Sequence, residues 1–460
     1  MSYIKINILP KTGFTIVELL VVIVVIGILA SITIVSYNGI SQKANLASIK
    51  SDLANASLTI KSYSSIRGTY PLTLDSSSCP TLPVVDSNFC LKSSSADGFF
   101  YSSIGSNFNI SKIDSNNISY LITDTNNSTI THTNSLTPLS TPTVAAGSFT
   151  YGIVVSPDGK NVYATSQGQG KIYMYSVDAN SGILTALGTP TISTDANPKG
   201  LSISPDGTSV YVANLTAATV SQYSRDPSTG LLSVSASAIA AGAGTMNIAV
   251  SPDGLSAYAV NQTANTISMY SRNPISGVLS IIGSQIATGA APTGIAISPD
   301  GLSVYVTNQT PNTLSMYSRD ISTGILSAIG SPLATGNSPY GVTVSPDGSV
   351  VYTVNYTGNN ISMFNRNIST GLLTIASPAS IGTGWSNYYA AIPKDSTTLY
   401  VTANTLRVYA RTPNSANLLS IPAFSTNIDT ALCIAASPDG NFIYVTNYLA
   451  SGTISMYRRN

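Results

Sequence analysis

Glu18 is the only glutamate in the 460-residue chain, and it heads an apolar run, Leu19 to Leu29, that Gly27 alone interrupts. A carboxylate is costly to desolvate there, so the chemistry open to it is pairing with an opposite charge or, failing that, protonation. Other residue types that perform acid–base or metal chemistry are sparse. His132 is the only histidine, and residues 140–460 contain no histidine and no glutamate. Of the twelve aspartates in that span, seven belong to one repeated turn, Asp178, Asp226 and Asp320 to a second, and only Asp195 and Asp429 lie in other loops. A general base or a metal site needs carboxylate and imidazole groups gathered together, whereas single loop aspartates more often cap turns. The sequence therefore implies no catalytic residues, no metal site and no cofactor.

The elements that carry these residues divide the chain. At this length two or more domains are expected. Formal net charge is +1 with no basic block, which excludes the phosphate-neutralising stripe of a nucleic-acid binder. Charged residues are 8% of the chain, against a usual ~25%. Ser, Thr and Asn supply the polarity instead, as is common in proteins that work outside the cell.

Lys5 and Lys11 precede the apolar segment, residues 14–35 are long enough to span a bilayer as a helix, and no small-residue cleavage site follows. Gly13 directly precedes the segment. The run KTGFTIVELLVVIVVIGILASI from Lys11 resembles the class III signal of type IV pilins and pseudopilins. That resemblance implies cleavage between Gly13 and Phe14 by a prepilin peptidase and methylation of the new amino terminus. It makes Glu18 the fifth mature residue, placed to neutralise the terminal amine of a neighbouring pilin subunit as helices bundle in a filament. It also implies a single pass of the cytoplasmic membrane before assembly and a place in a cell-surface pilus afterwards. An ordinary signal anchor with a snorkelling glutamate explains neither the Gly–Phe junction nor the position of the carboxylate. Loss of Lys5 and Lys11 leaves 18 basic and 19 acidic residues, a net of −1. Cys79 and Cys90, eleven apart in a chain with an export segment, read as a disulfide rather than two thiols, and Cys433 as a small buried hydrophobe.

Leu46, Ile49, Leu53, Ala56, Ile60 and Tyr63 recur at helical spacing, with Lys50, Ser51, Asp52 and Lys61 between them. This predicts one apolar stripe flanked by polar positions. Joined to the preceding segment it gives one long helix over 14–67, with 14–37 in the membrane or filament core, stopped by Gly68 and Pro71. The stripe is expected to pack on a small sheet from segments around Phe99–Tyr101 and Ile118–Ile122. This small α+β unit, 68–130 after the helix, resembles a pilin head, and a polar connector over 131–139 follows.

Beyond it the chain repeats. SPDG begins at Ser156, Ser204, Ser251, Ser298, Ser345 and Ser437, with a decayed PKDS at Pro393, and the aspartates fall 44 to 48 residues apart. Each of the seven units reads as four strands. An apolar strand enters the Ser-Pro-Asp-Gly turn, where proline presets the second position and glycine accepts the left-handed one. A strand bearing YVAN, YAVN, YVTN or YTVN follows, then one such as TISMYSRN from Thr266, a turn like STG, and a fourth strand. Four strands per ~47 residues fit an all-β seven-bladed propeller over 140–460. The last unit stops after its third strand, while LTPLSTPTVAAG before the first unit looks like a fourth, so the two are expected to complete one blade. The SPDG and YVTN motifs resemble those of YVTN-repeat and lactonase-like seven-bladed propellers, which host enzymes, binding proteins and surface-layer proteins.

Arg225, Arg272, Arg319 and Arg366 recur after the third strand; a ring of bound anions is one reading, and repeated surface charges near the turns is the favoured one. The blades differ five residues before the turn serine, where they carry Tyr151, Lys199, Met246, Thr293, Tyr340, Tyr388 and Leu432. This position opens the innermost strand on the face opposite the SPDG turns. A mixed ring with three tyrosines is a candidate ligand-binding rim for a glycan or protein, with Trp385 in the same loop family; variation at a wet rim is the plainer reading. Sequons at Asn214, Asn261, Asn308 and Asn355 follow from the repeat and imply no glycans. The favoured function is a non-enzymatic, pilin-like filament subunit, minor or tip-located, that displays the propeller for adhesion. A membrane-tethered lactonase-like hydrolase is the alternative, and a pseudopilin of a secretion or DNA-uptake system differs from the first only in the assembly it joins.

Overall fold

The computed structural model describes residues 47–67, 70–71, 78–80, 87–92, 100–104, 107–113, 119–123, 126–132 and 136–459, the last with gaps at 396, 404, 412–414 and 421–429. Gly13, Phe14, Glu18 and Leu46 lie outside the described residues. Among the described residues no helix is long and apolar enough to cross a membrane; the apolar segment 14–35 lies outside them. Backbone contacts divide the chain into a smaller unit, Met1–Asp114 with Tyr120–Ile130, and a larger one, Ser115–Ser119 with Thr131–Asn460.

In the smaller unit, helix α1 (47–67) buries the stripe read from the sequence: Ile49, Leu53, Ala56, Ile60 and Tyr63 are each at most 2% exposed. Asp52, placed by its spacing among the polar positions, is also buried, and its carboxylate accepts from the Lys112 ammonium. The pair is tolerated inside because each charge neutralises the other. Lys112 lies on a four-stranded sheet in the order β1 (Phe100–Ile104), β2 (Asn107–Ile113), β3 (Ser119–Thr123) and β4 (Asn126–His132). The sequence reading foresaw segments near the first and third strands. The other two, NFNISKI and NNSTITH, carry too many Asn and Ser to stand out as strands. Cys79 and Cys90 form a disulfide, and Tyr63 meets Phe89 edge-on at 5.5 Å.

The larger unit is a seven-bladed propeller. Its first strands are Thr150–Val155, Pro198–Ile203, Thr245–Val250, Pro292–Ile297, Pro339–Val344, Ala390–Ala391 and Ala431–Ala436, which define blades 1 to 7. Each opens an antiparallel sheet of four or five strands. The first three strands of blade 7 are completed by β5 (Leu136–Gly147), which pairs with Gly452–Arg459, so the two chain segments close one blade as the sequence implied. The expected connector over 131–139 is shortened by this pairing. β5 begins at Leu136, because Leu136 and Leu139 are buried and the apolar strand face reaches that far.

The second strands explain the repeat letter by letter. Five of them, from Asn161–Ser166 in blade 1 to Val350–Asn355 in blade 5, are buried at every residue, as is Phe442–Asn447 in blade 7. They are packed on both faces by neighbouring blades. The tyrosine of the motif reaches the next blade: Tyr163, Tyr258 and Tyr305 donate to the carbonyls of Gly230, Gly324 and Gly371 at 2.7, 2.6 and 2.7 Å. The threonine does the same nearer the axis, where Thr165, Thr307, Thr402 and Thr446 donate to the carbonyls of Lys199, Tyr340, Leu432 and Tyr151 at 2.6 to 2.9 Å. The asparagine stays within its blade, Asn261 donating to Thr266 and Ser268 at 3.0 and 2.9 Å. Asn214, Asn261, Asn308 and Asn355 are fully buried, so these sequon amides are already committed in the folded chain.

The arginines are not surface charges. Arg225, Arg272, Arg319 and Arg366 are at most 6% exposed, and each ion-pairs with the SPDG aspartate of the preceding blade, Asp158, Asp206, Asp253 and Asp300, at 2.7 to 2.8 Å. Arg411 with Asp347 and Arg459 with Asp395 extend the series, the last engaging the decayed PKDS turn. Each guanidinium also donates through Nε to the motif tyrosine of the preceding blade, as Arg319 does to Tyr258 at 3.0 Å. The surface reading failed because a third-strand end looks exposed until the preceding blade's turn covers it. Glycine makes the approach feasible: at Gly277, φ +72°, an added Cβ would lie 2.1 Å from Ser209 Oγ of the blade before.

One seam is built otherwise. Between blades 7 and 1 the arginine position is Val177, and Phe442 stands where blades 2 to 4 have serine. Phe442 is 3% exposed and packs against Gly182, whose carbonyl accepts from Tyr444 at 2.9 Å. A cavity of about 190 Å³ remains there, lined by Pro157, Val177, Asp439 and Phe442 among others.

Candidate binding site at the inner end of the propeller

The first strands of adjacent blades pack on one another around the axis, and the variable position near the start of each faces inward at the end opposite the SPDG turns. The ring converges there. Tyr151 of blade 1 and Tyr340 of blade 5 reach across the axis, their hydroxyls 2.7 Å apart. Tyr340 meets Tyr388 and Tyr389 edge-on at 5.6 and 5.5 Å, Tyr356 lies 4.9 Å from Tyr388, and Tyr448 approaches Tyr151 and Phe149 at 6.3 and 5.2 Å. Lys199 sets its ammonium 4.4 Å from the Tyr151 ring centre and donates to Gln167 Oε1 at 2.8 Å, which also accepts from the Tyr448 hydroxyl at 2.9 Å.

The wet-rim reading is corrected by burial. Tyr151, Lys199, Met246, Thr293 and Leu432 are all buried, while Tyr340 and Tyr388 are half-buried. Thr293 serves the fold, its hydroxyl donating to the Tyr340 carbonyl at 2.9 Å, and Met246 and Leu432 are core. Trp385 sits in the loop after blade 5, 51% exposed, and is in none of the ring-to-ring contacts of this cluster. The sequence reading missed Phe149, Gln167, Tyr356, Tyr389 and Tyr448. They come from the loops that enter the first strand and leave the second, where no repeat letter marks them.

Burial sets the electrostatics of the cluster. It pushes the Tyr151 hydroxyl well above its ordinary value, reinforced by Tyr389 and Tyr340, and Tyr340 up to about 12. It raises the Cys433 thiol and lowers the Lys199 ammonium to about 8. The site is thus a set of neutral hydroxyl donors around one cation and several aromatic faces. Among the described residues no group of three His, Cys, Asp or Glu side chains could hold a metal ion. Asp195 accepts from Thr219 at 2.6 Å, and Asp178 caps the backbone of Asn180 and Ser181; Asp429 lies outside the described residues.

Residues 10–34 match the prokaryotic N-terminal methylation motif, and residues 114–247 and 237–337 match the lactonase, 7-bladed beta-propeller description. The chain joins a pilin-type methylation motif to a lactonase-like seven-bladed propeller. No curated protein matches it. Among solved structures it is similar to a functionally unknown protein from Desulfotomaculum acetoxidans DSM 771, at 18% identity and TM-score 0.53 over 62% of this chain and 88% of that one. It is similar also to a candidate 6-phosphogluconolactonase from Bacteroides uniformis ATCC 8492, at 20% identity and TM-score 0.54 over 69% and 93%. Kuenenia stuttgartiensis hydrazine synthase matches at 19% identity and TM-score 0.51 over 69% and 97%. Likeness at this level shows the fold alone.

The topology also fixes where the chain enters the propeller. β5 pairs Leu136 with Arg459 and Gly147 with Gly452, so it starts at the SPDG end of blade 7 and runs to the other. The aromatic cluster lies at the end of the propeller away from that entry point.

Proposed function

We propose that the chain is a type IV pilin-like subunit, minor or tip-located, that displays its propeller as an extracellular binding module. A leader of residues 1–13 is removed by a prepilin peptidase, Phe14 becomes the methylated terminus, and the helix over 14–67 holds the subunit in the cytoplasmic membrane until assembly. Glu18 then pairs with the amine of a neighbouring subunit, and residues 68–130 form the pilin head. The observation that carries this reading is the methylation motif over residues 10–34 ahead of a propeller whose entry point and aromatic cluster lie at opposite ends. The Cys79–Cys90 disulfide supports an oxidising compartment. A propeller of some 320 residues on a short connector would crowd its neighbours if every subunit carried one, which favours a sparse or tip position.

The match to the lactonase description, and likeness to a candidate 6-phosphogluconolactonase, favour a second reading as a membrane-tethered hydrolase. Against it stand the absence of His and Glu from residues 140–460 and the commitment of seven of twelve aspartates to the SPDG series. Mass spectrometry of sheared surface filaments separates the readings. A methylated Phe14 peptide at low stoichiometry supports the pilus subunit; a chain that stays with the membrane, together with lactone turnover by the purified protein, supports the hydrolase. Retention without turnover supports a pseudopilin.

A further inference from the structure

Lys199 is the one charged member of the ring, and its ammonium is held over the Tyr151 ring with no carboxylate beside it. It is 8% exposed, its ammonium donates to one neutral acceptor, Gln167 Oε1, and no carboxylate among the described residues lies within ion-pair distance. An unpaired buried charge costs stability, and blades 3 and 7 fill the equivalent place with Met246 and Leu432. The Tyr389 hydroxyl is buried beside Tyr151 and Asn247 and makes no hydrogen bond of good geometry with either. Phe149, 40% exposed, stands directly before the first strand, where Asn197, Gly244, Ala291, Ser338 and Thr430 also take a positive φ, so its φ of 53° belongs to the repeat. A buried cation with no carboxylate partner thus lies against Tyr151, in an aromatic cluster that Tyr340, Tyr356, Tyr388 and Tyr448 extend.

We propose that this end of the propeller binds a uronic acid unit of a polysaccharide, with the Lys199 ammonium donating to the sugar carboxylate. The Tyr389 hydroxyl donates to a second sugar oxygen, and the exposed rings cover the C–H face of the sugar. A carboxylate supplies the missing countercharge and acceptors together, and a hexose ring presents the apolar face that aromatic side chains need. This inference rests on the binding-module reading.

The test is titration calorimetry of the full mature chain in detergent with oligogalacturonate, with the same oligosaccharide after reduction of its carboxyls to alcohols, and with inorganic phosphate. Binding of the acid at least tenfold tighter than its reduced form is expected. Lys199→Met should remove that preference while leaving Tm unchanged or higher, and Tyr389→Phe should weaken binding severalfold without lowering Tm. Equal binding of the reduced sugar, no binding of either, or phosphate binding as tightly as uronate overturns the inference, as does a Lys199→Met chain that loses Tm. Failure of this inference is distinguishable from failure of the pilus reading. A chain absent from filaments that still selects uronate sinks only the latter, and a filament subunit indifferent to the carboxylate sinks only the former.

Discussion

Replacing Arg319 by methionine keeps most of the side-chain volume at the seam between blades 3 and 4 and removes only the guanidinium. The wild-type group pairs with Asp253 at 2.8 Å and donates to Tyr258 Oη, Gly301 O and Ser256 Oγ at 3.0, 3.2 and 3.1 Å. Tyr258 keeps its bond to the Gly324 carbonyl and Asp253 Oδ1 keeps those from Ser251 Oγ and Leu255 N, so the groups that lose a partner are Asp253 Oδ2 and the Gly301 carbonyl. Breaking a buried pair from one side costs about 3–5 kcal/mol. The Asp253 side chain is 34% exposed, so water solvates the remaining charge in part and the lower end applies, about 3 kcal/mol. Trp385 is the only tryptophan in the chain, so its emission follows the propeller alone during urea unfolding. A midpoint lowered by about 1 M is expected for a slope near 3 kcal/mol/M. The seam between blades 7 and 1 supplies the control: Arg319→Val with Ser256→Phe copies Val177 and Phe442 and should recover more than half of the loss. A single variant with an unchanged midpoint, or a double variant below the single one, would refute the view that these seams are closed by interchangeable ionic and apolar plugs.

Three further outcomes follow from the same geometry. Burial alone would raise the Asp206 carboxyl, but hydrogen bonds from Ser204, Thr208 and Arg272 outweigh it and hold it at about 2, and Asp158, Asp253, Asp300 and Asp395 are lowered in the same way. The unfolded chain therefore binds more protons below about pH 4, so the urea midpoint should be level from pH 7 to 5 and fall between pH 4 and 2; a midpoint that rises on acidification contradicts the clamp assignment. Lys199 titrates at about 8 in the fold and at about 10.4 unfolded, so from pH 8 to 9.5 its ammonium contributes a rise of stability with pH, read as the wild-type slope minus the Lys199→Met slope; equal slopes in the two chains contradict burial of the charge. Cys433, Tyr151, Tyr340 and Tyr389 are held above their ordinary values in the fold, so the unfolded chain loses those protons first and they pull stability the other way, in both chains alike. Glu18→Ala should leave propeller emission and urea midpoint untouched yet block incorporation into filaments, which immunoblotting of sheared fibres checks; normal filaments carrying the variant would count against pairing of Glu18 with a neighbouring amine.

The repeat and its period were legible in the chain because they are local, a turn tetrad and an alternating strand, and the closing of blade 7 by β5 was legible from strand count, a missing fourth strand at one end matched by a spare one at the other. The helical stripe from Ile49 to Tyr63 was legible for the same reason, since side-chain period is a property of neighbours in sequence. What the tertiary structure decided were contacts between residues 60 or more positions apart. Asp52 reads as a polar-face residue until β2 brings Lys112 to it, and Arg225, Arg272, Arg319 and Arg366 read as surface charges until the preceding blade's turn buries them. Lys199 and Tyr151 were visible as variation within a repeat. Their conversion from an open rim to a buried cluster depended on Tyr340 arriving from four blades away. Sequence period sets which residues face the axis, and only ring closure sets how near they come and whether a charge among them finds a partner.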